Sequence, residues 1–348
     1  MYTRFGDNDI VNRQAQELVT STWSNNQNNL SSQFTASTVT FTTATSSGQF
    51  FIEVLNKVAS DATAESQYFV SYGHKAGSGS PDITHDTGSF GLNAARITYN
   101  QYRQLHFNDD TKNFTFGTHT PDDIFVINIA RGRYKQRLTL GSLDLHISGG
   151  TNGVAGQTKI KLTDDSVTNP AGAGSSNLGT YYNIVSGSKG VVLAGTTATT
   201  QIKDSGSYGH FYPEAGLIIL NGGAFATGSA LEPTRGQALS NNTDQNHKTL
   251  FEHISASANF IVDTTEEINS EFYFCRSRND QFNYTNNESF IDANKNIRFE
   301  SMQLNPKVFI TTIGLYNDAF ELVAIAKLSQ PVAKDFTKEA LIRVKLDY

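Results

Sequence analysis

The chain has 348 residues and a formal net charge of −6, with only 17% of its residues charged. One cysteine, Cys275, excludes an intrachain disulfide and a cysteine-cluster metal site. No stretch reaches the roughly 18 consecutive apolar residues of a membrane-spanning helix, and the acidic balance argues against a broad nucleic-acid footprint. With so few charges, the polar surface falls to Ser, Thr, Asn and Gln. Such a surface suits large protein–protein contacts, whose centres are depleted in charge. The aromatics are 23 Phe and 14 Tyr against one Trp, and Phe, Tyr, Thr and Val favour strands.

In chain order, residues 1–33 form a polar N-terminal arm. Met1–Asp7 lacks the basic and apolar regions of a signal peptide, so synthesis in a reducing cytoplasm is expected. Ile10, Val11, Leu18, Val19 and Trp23 mark either one face of a helix or an extended segment, closed by a turn at Ser24–Asn29. Residues 34–41, 50–55 and 67–72 read as strands, and 73–93 as a polar loop. Residues 94–107 carry Tyr99, Tyr102, Leu105 and His106 at helical spacing. Asp122–Ile129 is a continuous apolar run after an acidic turn, as a buried strand requires, and Leu143–Ile147 alternates like a half-buried one.

Composition shifts over 149–209, which holds 12 of the 28 glycines but only Tyr181, Tyr182 and Tyr208 as aromatics. Pieces such as Thr158–Leu162 and Val191–Leu193 retain strand character. The segment reads as a Gly/Ser/Thr-rich β insertion, set apart from a main β-rich domain over 34–148 and 210–348. After it come a strand ending at Leu220 and a helical segment around Lys248–Ile254, with Asp244 as its N-cap. Strands follow at Phe260–Val262 and Glu271–Phe274, with Cys275 as a small buried strand residue. Val308–Tyr316 and Glu321–Ala326 flank Asn317-Asp318 and read as a hairpin. The final segment alternates, with Ile342, Val344, Leu346 and Tyr348 on one face and Arg343, Lys345 and Asp347 on the other. It is expected to be docked and to join the sheet of that hairpin. The fold class is therefore mainly β: α+β with few helices, antiparallel sheets and β-sandwich-like packing.

Catalytic, cofactor-binding and metal-binding signatures are not found. There is no phosphate loop, zinc helix, nucleophile elbow or dinucleotide fingerprint. Asp292-Ala293-Asn294-Lys295-Asn296 opens like a calcium loop, but Ile297 and Gln303 stand where that loop needs Gly and Glu. An Asn-rich turn is the simpler reading. The histidines (74, 85, 106, 119, 146, 210, 247, 253) lack metal spacing. Glu266-Glu267 suits a turn or a helix start more than acid–base work. Arg131–Arg137 is the densest basic stretch and reads as a solvated or partner-facing element.

Several stretches carry a resemblance. They are Gln67–His74 leading to Gly77–Ser80, Asp122–Asn128 with Arg131, Arg133 and Lys135, and Gly141–Leu145. The strongest is Asn305–Asn317, continued through Ala324–Ser329 to Glu339–Asp347. Over about two thirds of its length, at 65–148 and 208–348, the chain resembles virion structural proteins of contractile-tailed bacteriophages, notably those of marine bacteria and cyanobacteria. The 149–209 insertion departs from that pattern. The resemblance implies a non-enzymatic tail or baseplate subunit of the virion that binds other tail or baseplate subunits and copies of itself, without nucleic acid or membrane. The N-terminal arm and the 73–93 loop are the expected contacts. A second reading is host-receptor or glycan binding through the insertion, near Tyr181 and Tyr208. A third is a polysaccharide-degrading enzyme.

Overall fold

A computed structural model describes residues 3–6, 8–35, 51–80, 93–148, 159–193, 207–225, 231, 233, 246–285 and 287–348. The strands in the first half are β1 (Ile10–Ser21), β2 (Phe34–Thr35), β3 (Phe51–Leu55), β4 (Ser66–His74), β5 (Asp123–Ile129), β6 (Arg137–Leu138), β7 (Asp144–Ser148) and β8 (Lys159–Asp164). Next come β9 (Gly174–Ser176), β10 (Gly179–Ser188), β11 (Val191–Val192), β12 (Gly209–Tyr212), β13 (Leu217–Asn221) and β14 (Phe260–Ile261). The last are β15 (Asp263–Ser277), β16 (Val308–Tyr316), β17 (Leu322–Lys334) and β18 (Ala340–Asp347). The helices are α1 (Ala94–Phe107) and α2 (Asn246–Ser257). The protein is thus mainly β, with antiparallel sheets and few helices. The expected strand over 36–41, most of the 73–93 loop and the Asp244 cap fall outside the described residues.

The chain divides into two units: Leu18–Glu266, and Met1–Glu17 with Glu267–Tyr348. This differs from the division into arm, main domain and insertion. Within 149–209, the described strands β8 and β10 are interior strands of the main sheet. That sheet runs β14-β7-β8-β10-β12-β13-β5-β4-β3-β2, with β9 and β11 flanking β10. Ile160, Leu162 and Ile184 of the supposed insertion are buried in the common core. The alternation Lys159-Ile160-Lys161-Leu162 puts both apolar side chains on one face. Gly179 and Gly190 have positive φ, which glycine adopts without strain.

Sandwich-like burial arises within this first unit from one sheet that curls. Helix α2 packs on β7 near one end of the strand order and on β3 and β4 near the other. The concave face therefore closes on α2 through Leu250, Ile254, Phe125, Ile127, Leu145 and Phe211. Helix α1 covers the opposite face, where Tyr99, Tyr102, Phe114, Val126 and Ile219 form a second cluster. Asn93 starts α1 by accepting a hydrogen bond from the Arg96 N–H (3.1 Å), the usual N-cap arrangement. Gly73 lets α1 approach β4, since a Cβ there would lie 2.8 Å from the Tyr99 backbone nitrogen.

Trp23 fastens the segment after β1 to the concave core. Its ring meets Phe260 edge-on at 4.8 Å, and its Nε1–H donates to the Phe260 carbonyl (2.7 Å). The turn at Ser24–Asn26 holds Asn25 and Asn26 at positive φ, which Asn tolerates better than most residues. Residues 10–21 are a strand, so of the two readings the extended one holds.

In the second unit, β15 lies between β1 and β18. Residues Ser270–Ser277 pair with Ala340–Asp347. This corrects the expectation that the final strand joins the hairpin: β16 and β17 form a separate two-stranded sheet. The alternating pattern of β18 matches β15 instead. Val344 sits opposite Tyr273 and Ile342 opposite Cys275, and the Arg343 guanidinium lies over the Phe272 ring (5.0 Å). Tyr348 is docked as expected, exchanging backbone hydrogen bonds with Asn269.

Replacing Trp23 by Ala is expected to destabilise the protein by about 3–5 kcal/mol, the range for emptying a large aromatic site. Trp23→Phe keeps most of the ring and loses the indole hydrogen bond, for about 1 kcal/mol. Urea unfolding followed by circular dichroism checks both, since Trp23 is the only tryptophan.

Candidate functional site

The two units treat their apolar residues in opposite ways. In the first, strand β5 is buried at every position except Asn128. In the second, the buried apolar side chains among the described residues are Ile291, Leu315, Ala340 and Val344. Far more are exposed there, among them Val323 (67%), Phe320 (65%), Phe309 (60%) and Ile325. In β1 too, Ile10 and Val11 are exposed. As neighbours on a strand they point to opposite faces. Soluble monomers rarely expose contiguous apolar surface of this kind.

The hairpin is built to carry such a surface. Its loop is closed by Asn317, whose Oδ1 accepts from the Glu321 N–H (2.8 Å) and whose Nδ2 donates to Glu321 (2.8 Å). Phe320 occupies the left-handed region at φ 62°. Glycine is the usual residue there, and a bulky side chain is an outlier. Further along, Ile310 pairs with Val332 and Thr312 with Lys327. Residues 328–331 therefore bulge out of β17. Pro331 lies in that bulge and has no N–H to give to the ladder.

At the base of the hairpin, Lys334 is fully buried. Its ammonium donates to the carbonyls of Asn279 (3.2 Å) and Gln281 and to Asn283 Oδ1 (2.6 Å). Burial pulls its pKa down, while Asp280 and Asp335 oppose that shift. Tyr273 donates to Glu271 (2.6 Å), and that bond pushes its phenol pKa up to about 12. Cys275 is half-buried in β15, where desolvation raises its thiol pKa.

Polar clusters lie in the first unit. His106 and His210, distant in sequence, stack at 6.2 Å, and His106 Nδ1 shares a hydrogen bond with the Tyr212 hydroxyl (2.8 Å). Burial lowers their pKa values to about 4 for His106 and about 3 for His210. Both rings are therefore neutral, packed among Phe114, Phe116 and Tyr181. Sequence spacing could not reveal this pair, because β12 and α1 meet only through the fold. Asp164 and Asp165 are buried, and desolvation raises both pKa values. Asp164 accepts from the Gly141 N–H (2.8 Å) and from Ser166; Asp165 accepts from the Asn183 N–H (2.9 Å). Among the described residues, no group of three or more His, Cys, Asp or Glu side chains could hold a metal ion.

The remaining singled-out residues stand apart from one another. Tyr208 is buried in the core, and Tyr181 is half-buried and packs against His210 (4.4 Å). Asp292 accepts from the Asn294 and Asn296 N–H groups (2.9 and 2.7 Å), the geometry of an Asn-rich turn. Glu266 and Glu267 lie in β15, not in a turn or a helix. In the basic stretch, Arg131 lies over the Tyr134 ring and Arg133 pairs with Glu65 (3.0 Å). No helix among the described residues is long and apolar enough to cross a membrane. No family model, no curated protein and no solved structure matches the chain.

The buried histidines set a pH dependence. His106, His210 and His247 all have folded pKa values below the ordinary 6.5. Their contribution is fully present above pH 6.5 and is lost as pH falls toward 4, because only the unfolded chain takes up the protons. Each titrating ring steepens the loss by up to about 1.4 kcal/mol per pH unit in that window. Melting curves from pH 7 to 4 should show a falling midpoint. The slope should be shallower for His210→Phe.

Proposed function

We propose that this protein is a structural subunit of a contractile-tailed phage virion, placed in the tail or baseplate, that acts by assembling with neighbouring subunits and with copies of itself. The observation that carries this reading is the unit formed by Met1–Glu17 and Glu267–Tyr348, where apolar side chains on strands face outward. Exposed strands of this kind gain stability when another chain covers them. The resemblance of Asn305–Asn317 and Glu339–Asp347 to virion proteins falls in the same unit. The low overall charge fits too, since a Ser-, Thr- and Asn-rich surface is desolvated at lower cost than one rich in Lys and Glu. In this reading the first unit is a stable body that carries the docking strands and takes its own stability from the curled sheet.

Mass spectrometry of purified particles, with this chain located by labelling, tests the assignment. Absence from washed particles overturns it. Phe320 separates docking from folding. Phe320→Gly removes an exposed ring and relieves a left-handed backbone, which costs a non-glycine residue roughly 1–2 kcal/mol. The isolated protein should therefore be as stable as wild type or up to about 1 kcal/mol more so. Its incorporation into particles should drop several-fold in a competition assay against wild type.

A further inference from the structure

The hairpin has two outer edges, and they are not alike. Natural edge strands discourage pairing by carrying lysine, proline and bulges. Strand β17 has all three: Lys327, Pro331 and the bulge over 328–331. Strand β16 has none on its free side. Its nine residues, Val308-Phe309-Ile310-Thr311-Thr312-Ile313-Gly314-Leu315-Tyr316, hold no charge and no proline. Among the described residues, one edge is guarded and the other is left open.

We infer that the open edge of β16 pairs antiparallel with β16 of a second copy of this chain, about a two-fold axis. This rests on the assembly reading above and names the partner of that surface. An uncharged strand can lie beside itself without setting like charges opposite each other. Two hairpins joined in this way make a four-stranded sheet, whereas a lone two-stranded ribbon is marginal in water. A strand of nine residues offers an edge about 30 Å long. On β16 itself the large side chains of Phe309 and Tyr316 stay exposed at 60% and 44%, and a neighbouring strand along this edge would lie beside them. Full overlap of the nine residues sets Thr312 on the axis and brings the two Thr311 side chains into diagonal contact.

The whole purified chain tests this in three ways. Wild type should self-associate at micromolar concentration in sedimentation velocity. Amides of 308–316 should gain exchange protection with concentration, while those of 328–331 do not. Thr311→Lys and Thr311→Glu should each weaken association at least about tenfold, a one-to-one mixture of the two should recover it, and Ser329→Lys in the guarded bulge should change nothing. Circular dichroism establishes that the variants keep their strand content. A wild type that stays monomeric to about 100 μM, association without concentration-dependent protection of 308–316, or Thr311 variants that associate like wild type overturns the self-pairing. The assembly reading survives any of these if the chain is still found in particles, and fails only if it is not. Protection of β16 that appears only with another particle subunit assigns the edge to that subunit and overturns the second copy.

Discussion

A β-sheet has faces that must be covered and edges that must be paired, and the two units of this chain answer that constraint differently. Water does not tolerate a bare apolar face, and a free edge presents unpaired N–H and C=O groups. In the Leu18–Glu266 unit the sheet solves the problem by itself. It curls until strands near both ends of its order reach α2, while α1 covers the opposite face. Even the short approach of Gly73 to α1 serves this end, because the helix could not sit as close over a side chain.

That solution was only partly legible in the sequence. Asp122–Ile129 reads as a strand because local propensity and burial agree there, and Val308–Tyr316 does so on propensity alone, since most of it stays exposed or half-buried. The α1 segment read as a helix because its aromatics recur at helical spacing. Few aromatics and many glycines make segment 149–209 look like an appendage, while its described strands β8 and β10 lie inside the main sheet. Strand partners depend on face matching across long separations, so Ile160 and Leu162 could be placed only once β7 and β10 stood beside them. The final strand misled for the same reason: alternation announces a strand and says nothing of its neighbour. Exposure was less legible. Among the described residues, exposed apolar side chains lie both in the arm, at Ile10, Val11, Leu18 and Val19, and on the hairpin. Burial is a property of the fold, and an apolar strand reads alike whether it faces a core or water.

Among the described residues, the second unit leaves much of that constraint unmet. A strand protected on both edges and buried on one face would show the ordinary alternation of polar and apolar burial. Strand β16 keeps Leu315 as its one fully buried side chain, and β17 buries only Lys334.

Lys334 explains how such a hairpin is held without an apolar anchor. A hairpin anchored by its own apolar side chains would have to turn them inward and lose them as a docking surface. Here the anchor is polar. A buried ammonium reaches two backbone carbonyls and one side-chain oxygen in the 279–283 segment, which fills its three donor positions. Hydrogen bonds from a charged donor are among the stronger ones, and they fix direction as well as distance. The base of β17 is therefore tied down without spending Phe309, Val323 or Ile325, and those side chains remain outside, where a neighbouring strand can reach them.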